Sequence, residues 1–220
     1  MPHIRDNFSS TARRPVNLFA RTQLQRWLAS RKMVLRAETA AVLVRIHEFA
    51  RLIELEGFER AMLKITGADE IEGINSLTAR ITDALCRETR GMEREILRKS
   101  LHEMLLYSTG VEIEVSVAVF GTKIERFLHQ RGSKGLLRLF LSLHLFNEVW
   151  IKIQQRLQTS APDGESFLAA MYWFEWTCRS AVDLAIGGWS KWPKLGRTLA
   201  KSLIDAVEFQ VSNMRRPSAA

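Results

Sequence analysis

Cysteine is scarce: only Cys86 and Cys178 occur in 220 residues, 92 positions apart. That spacing excludes the disulfide framework of a small secreted domain and a four-thiolate zinc site. Long apolar runs are missing as well. The longest, residues 136–146, has eleven residues and includes Arg138 and His144, well short of the roughly 20 that a membrane-spanning helix requires. Residues 1–17 hold Arg5, Arg13 and Arg14 but no apolar stretch, so no secretion signal is expected and the chain is expected in the cytoplasm.

Catalytic signatures are absent too. There is no Gly-x-Ser-x-Gly elbow, no Gly-x-x-x-x-Gly-Lys phosphate loop, no Gly-x-Gly-x-x-Gly and no His-Glu-x-x-His. None of the five histidines completes the Glu-x-x-His spacing that aims two metal ligands from one helix face. Glu125 with His129, and His144 with Glu148, are each one helical turn apart and read as surface ion pairs. Both cysteines read as buried, inert thiols. The chain is therefore expected not to be an enzyme and to need neither metal nor cofactor.

What is present is positive charge, unevenly placed. The net charge is +8, from 32 Lys+Arg against 24 Asp+Glu. Residues 1–36 hold eight basic side chains and one acidic, a net of +7. Residues 37–186 hold 18 basic and 21 acidic, a net of −3, and residues 187–220 hold six and two, a net of +4. Charge gathered at the ends favours a phosphate-rich partner and says nothing about fold.

The apolar residues recur with helical period. Leu28, Leu35, Val42 and Phe49 fall every seven, joined by Leu24, Ile46 and Ile53, which predicts a helix over 17–56 with Gly57 as its C-terminal cap. Thr66-Gly67-Ala68 is the next stop, and Asp69 with Glu72 forms a capping box for a helix over 70–107, with a bend at Gly91. Further helices are predicted over 111–130, 133–159, 162–186 and 193–214. The expected fold is mostly α: a bundle of about six helices forming one domain over 17–214, with a disordered basic arm at 1–16 and a tail at 215–220. A second arrangement, α+β, follows from the alternation of Val111, Ile113, Val115, Val117 and Val119 and of Val149, Ile151 and Ile153. It places strands near 111–119 and 148–154. Thr109 with Glu112 argues against it, as another capping box.

On a continuous helix over 70–107, Arg80, Arg87, Arg90, Arg94 and Arg98 fall inside an arc of about 80° and span about 27 Å. Ile74, Ile81, Leu85, Met92 and Ile96 occupy the opposite, buried side. Guanidinium forks in a row suit a phosphate backbone. On the first helix Arg14, Arg21, Lys32 and Arg36 share a face beside Trp27 and Leu28, which suits either nucleic acid or an anionic membrane surface. Arg13 adds mobile charge.

Two further features bear on phosphate. Lys134 and Arg138 follow Arg131-Gly132-Ser133, where the open N–H groups of a helix start suit an anion. Trp189, Lys191, Trp192 and Lys194 alternate after Gly187-Gly188 and lead to Arg197, an aromatic and cationic platform for unpaired bases. Trp173 and Trp176 share a helix face and are expected in the core. The expected role is a non-enzymatic subunit of a nucleoprotein complex, a hetero- or homo-oligomer, binding DNA or RNA backbone. The alternatives are an adaptor that buries its Trp-rich C-terminal half against an acidic protein partner, or a peripheral membrane-surface protein.

Overall fold

The computed structural model describes residues 37–67, 73–110, 116–161, 163–187 and 195–213. Seven helices occur among them: α1 Ala37–Glu56, α2 Phe58–Thr66, α3 Gly73–Leu85, α4 Gly91–Thr109, α5 Val117–Ser160, α6 Gly164–Gly187 and α7 Arg197–Asn213. Among the described residues there is no strand. The α+β arrangement fails where it can be checked: 117–119 and 148–154 are helical turns of α5. Residues 111–115, and the N-terminal half of the helix expected over 17–56, lie outside the described residues.

The helices close two rings that share α1 and α5. One runs α1, α2, α3, α4, α5, and the other α1, α5, α6, α7, each helix packed on the next. A single apolar cluster fills both, with Phe49, Phe120, Phe140 and Phe174 among its fully buried side chains. Burial of each contributes about 1.5–3 kcal/mol relative to leaving it in water. Val42, Ile46, Phe49 and Ile53 of α1 lie in that cluster, as their spacing predicts.

Glycine sets several joints. Gly57 turns the chain from α1 into α2 at φ 83°, a backbone region that favours glycine. Across the joint, the Glu125 carboxylate of α5 accepts from the Phe58 N–H at 2.8 Å and caps α2. Gly121, one turn before Glu125, lets the Phe58 ring lie against α5, because a Cβ there would fall 2.6 Å from that ring.

The helices expected over 111–130 and 133–159 are the two helical segments of α5, which meet at Gly132, where the backbone leaves the helical region (φ 61°, ψ −177°). Ser116 rather than Thr109 caps it, its hydroxyl accepting from Val119 N–H at 3.4 Å. Thr109 instead ends α4, its hydroxyl bonded back to Leu105 O at 2.9 Å.

The helix expected over 70–107 is broken. α3 stops at Leu85, Thr89 N–H closes a turn on Cys86 O at 2.8 Å, and α4 restarts after Arg90 in extended conformation with Gly91 at φ 67°. The break resets the helical phase. Ile74, Ile81, Leu85 and Ile96 are buried as expected, whereas Met92 is 77% exposed.

Candidate functional site

The broken helix divides the expected arginine ladder among three settings. Arg80 is exposed on α3, and Arg87 and Arg90 are exposed at the joint. Arg94 and Arg98, on α4, both turn to Asp83 of α3, at 3.3 and 3.0 Å. Five guanidiniums do not therefore form one continuous row. Arg138 is likewise held by Asp183 of α6, and the Ser133 hydroxyl lies 3.1 Å from His47 Nδ1. At the Gly132 kink the Ser133 side chain is thus engaged by α1. Lys134 is half-buried beside it and has interactions of its own. Arg13, Arg14 and Arg21, with Trp189, Lys191, Trp192 and Lys194, lie outside the described residues.

Arg197 stands where positive charge does gather. It opens α7, and Lys201 follows one turn later on the same face. Together with Glu38, Ala40, Ala41 and Arg45 of α1 and Glu88 and Thr89 of the α3–α4 joint, they line a groove of about 250 Å³. That is smaller than the roughly 300–1,000 Å³ of a drug-sized ligand pocket and suits a small polar group.

Arg45 is the most enclosed cation of the groove, its side chain 17% exposed. Its Nη1 donates to Leu85 O at 2.9 Å, at the carbonyl end of α3, and its Nη2 to Glu88 Oε2 at 2.5 Å. A cation at a helix C-terminus is favoured by the helix dipole. Arg45 and Lys201 are absent from the sequence-based set of binding residues. Lys201 was legible as the i+4 neighbour of Arg197, but nothing in sequence relates Arg45 to a partner 43 positions away.

The groove also marks where two basic segments join the helical body. Residues 1–36, with a net charge of +7, join at Ala37, beside the groove residue Glu38. Residues 188–194, with Lys191 and Lys194, join at Leu195, two positions before Arg197. Ends that are 158 positions apart in sequence meet at one pole because α1 packs against α7.

A second surface is apolar. Leu168, Tyr172 and Trp176 recur every four residues along α6 and are 48, 47 and 64% exposed. Trp176 thus stands outside the core, while Trp173 packs edge-on against buried Phe174 at 5.4 Å. Tyr107 of α4 is also exposed. Burial and the Glu175 and Glu103 carboxylates raise its hydroxyl above the ordinary value, which sets it beside the Glu175–Arg179 pair on the same α6.

Both thiols and two of the histidines, His47 and His144, are embedded in packing. Burial pushes the Cys86 thiol up to about 11 and raises Cys178 further. His144 is not a surface residue paired with Glu148. It is 1% exposed, stacked on Phe140, with Nε2 3.2 Å from the Thr39 hydroxyl, and burial lowers it to about 4. Glu148 pairs with Lys152 instead. Among the described residues no three His, Cys, Asp or Glu side chains come together as metal ligands, and no helix is long and apolar enough to cross a membrane. No family model, curated protein or solved structure matches the chain.

Proposed function

We propose that the chain is a non-enzymatic helical subunit that binds the backbone of DNA or RNA through one basic pole, within a larger nucleoprotein assembly. The observation that carries this reading is the convergence of charge. The helical body over 37–186 has a net charge of −3, and the basic segments on either side of it in sequence join it at the same groove, beside Arg45, Arg197 and Lys201. Lys and Arg gathered at one place displace counterions from a phosphate chain and bind it without reading bases. Exposed Arg80, Arg87 and Arg90 add to the field but form no continuous track. The non-enzymatic part of the reading draws on the buried, protonated thiols and on buried His144. The direct experiment is the ultraviolet absorbance ratio of the purified protein before and after nuclease treatment. A nucleic-acid excess that nuclease removes supports the reading, and a protein that never carries or gel-shifts nucleic acid ends it.

A second reading is an adaptor that docks a protein partner on α6. The exposed ridge of Leu168, Tyr172 and Trp176 favours it, because aromatic side chains are the usual anchors of such interfaces. It predicts copurification that survives high salt and is lost on Trp176→Ala.

A further inference from the structure

We propose that the groove where α1 and α7 begin is a phosphate seat, and that Glu88 is the internal anion that occupies it until a phosphate arrives. The inference rests on the nucleic-acid reading above and names the residues that would make its first contact.

Arg45 is the fixed element of the groove. Its guanidinium is largely enclosed and fixed on one side by Leu85 O, so its remaining donors have a set direction. They point to Glu88, whose side chain is 64% exposed. Of this pair the guanidinium is the anchored member and the carboxylate the one that can swing into water. A phosphate oxygen matches the carboxylate oxygen as an acceptor for the planar fork, and it accepts from more directions.

Arg197 and Lys201 face the same space from α7, and Glu38 is the second carboxylate of the lining. With Glu88 in place, three cations face two carboxylates. Once Glu88 swings out, the seat has a net charge of +2 for a phosphodiester or a free phosphate. The volume of about 250 Å³ admits such a group.

The test compares the full-length wild type with Glu88→Gln and with Arg197→Ala/Lys201→Ala. The probes are inorganic phosphate and a single-stranded oligodeoxythymidine of about 15 nucleotides, comparable to the largest single-strand site sizes. All three positions are exposed, and thermal unfolding checks that each variant is folded.

Glu88→Gln is expected to tighten phosphate binding about threefold or more, because the competing charge is gone. The α7 double variant is expected to weaken the oligonucleotide at least about tenfold and to flatten its salt dependence by about one unit of slope. If the wild type binds the oligonucleotide and neither variant changes that affinity or the response to phosphate, the seat is overturned while the nucleic-acid reading stands. If phosphate binds and responds to both variants but the oligonucleotide does not bind, the seat stands and the nucleic-acid reading falls. A Glu88→Gln protein that loses stability with unchanged affinity assigns Glu88 a purely structural role and overturns the proposal.

Discussion

Asp83 of α3 holds Arg98 of α4 at 3.0 Å across the break between the two helices, and the same carboxylate oxygen holds Arg94 at 3.3 Å. This is the relation that removes the two C-terminal members of the expected arginine ladder. All three side chains are about 35–45% exposed, so the bridge adds little stability. Asp83→Asn is expected to lower it by less than about 1 kcal/mol, read from the urea midpoint. A loss above about 3 kcal/mol would make the bridge a buried strut instead.

Gly132 lies within α5 at φ 61° and ψ −177°, a region essentially reserved for glycine. Gly132→Ala is expected to cost about 1–3 kcal/mol in chemical denaturation. Its neighbour at the kink, Ser133, meets His47, whose other ring nitrogen is buried without a partner. An unchanged midpoint would mean that α5 straightens through the kink at no cost.

Burial holds His144 at about 4, below its ordinary 6.5, against the nearby Glu148 carboxylate that acts in the opposite direction. The folded state therefore disfavours the proton that the unfolded chain accepts. Stability from this site is complete above about pH 6.5 and is lost as pH falls toward 4. The loss reaches about 3 kcal/mol. His47, also lowered by burial, acts in the same direction. Urea unfolding at pH 7 and pH 5 is expected to show the decline in the wild type and a smaller one in His144→Asn. Equal slopes in both proteins would remove His144 as the cause.

Trp176 and Phe174 sit two positions apart on α6 with opposite fates, one 64% and the other 1% exposed. Phe174→Ala is expected to cost about 3–5 kcal/mol, and Trp176→Ala to stay within about 0.5 kcal/mol of wild type by thermal unfolding. A large loss from Trp176→Ala would mean that its ring is covered in solution and is no docking ridge.

The last two helices were close to legible in sequence, expected over 162–186 and 193–214 and found at Gly164–Gly187 and Arg197–Asn213. Prolines open both expected spans, Gly187-Gly188 closes the first, and the periodic residues between carry the core. The break at 86–90 was not legible in full. Gly91 signalled a bend, but the apolar period resumes at Ile96 and Leu97, so pattern alone does not report the phase change that exposes Met92. At Gly132 the stop read from sequence is where the helical backbone breaks, and two helical segments meet there.

Trp176 was placed in the core from its spacing with Trp173, yet the two side chains diverge by about 60° around the helix, enough to cross from packed to exposed. Of the candidate site, Arg197 was visible in sequence as a cation flanking the Trp189–Lys194 platform. Arg45, Glu88 and the meeting of two chain segments depend on α1 packing against α7, a long-range contact that no local pattern encodes.

In the proposed function, nucleic acid is bound by the groove cations where α1 and α7 begin and by the basic segments joined there in sequence, and not along α3 and α4. The most direct measurement is oligonucleotide affinity against salt for the wild type and two variants. One removes Arg13, Arg14, Arg21, Lys191, Lys194 and Arg197 together by substitution with Gln, and the other removes Arg80, Arg87 and Arg90. Each lost single-strand phosphate contact flattens the slope by about 0.7. The account predicts a flattening of several units for the first variant and less than about one for the second. A larger flattening from the second, or a wild type that binds no oligonucleotide at low salt, would contradict it.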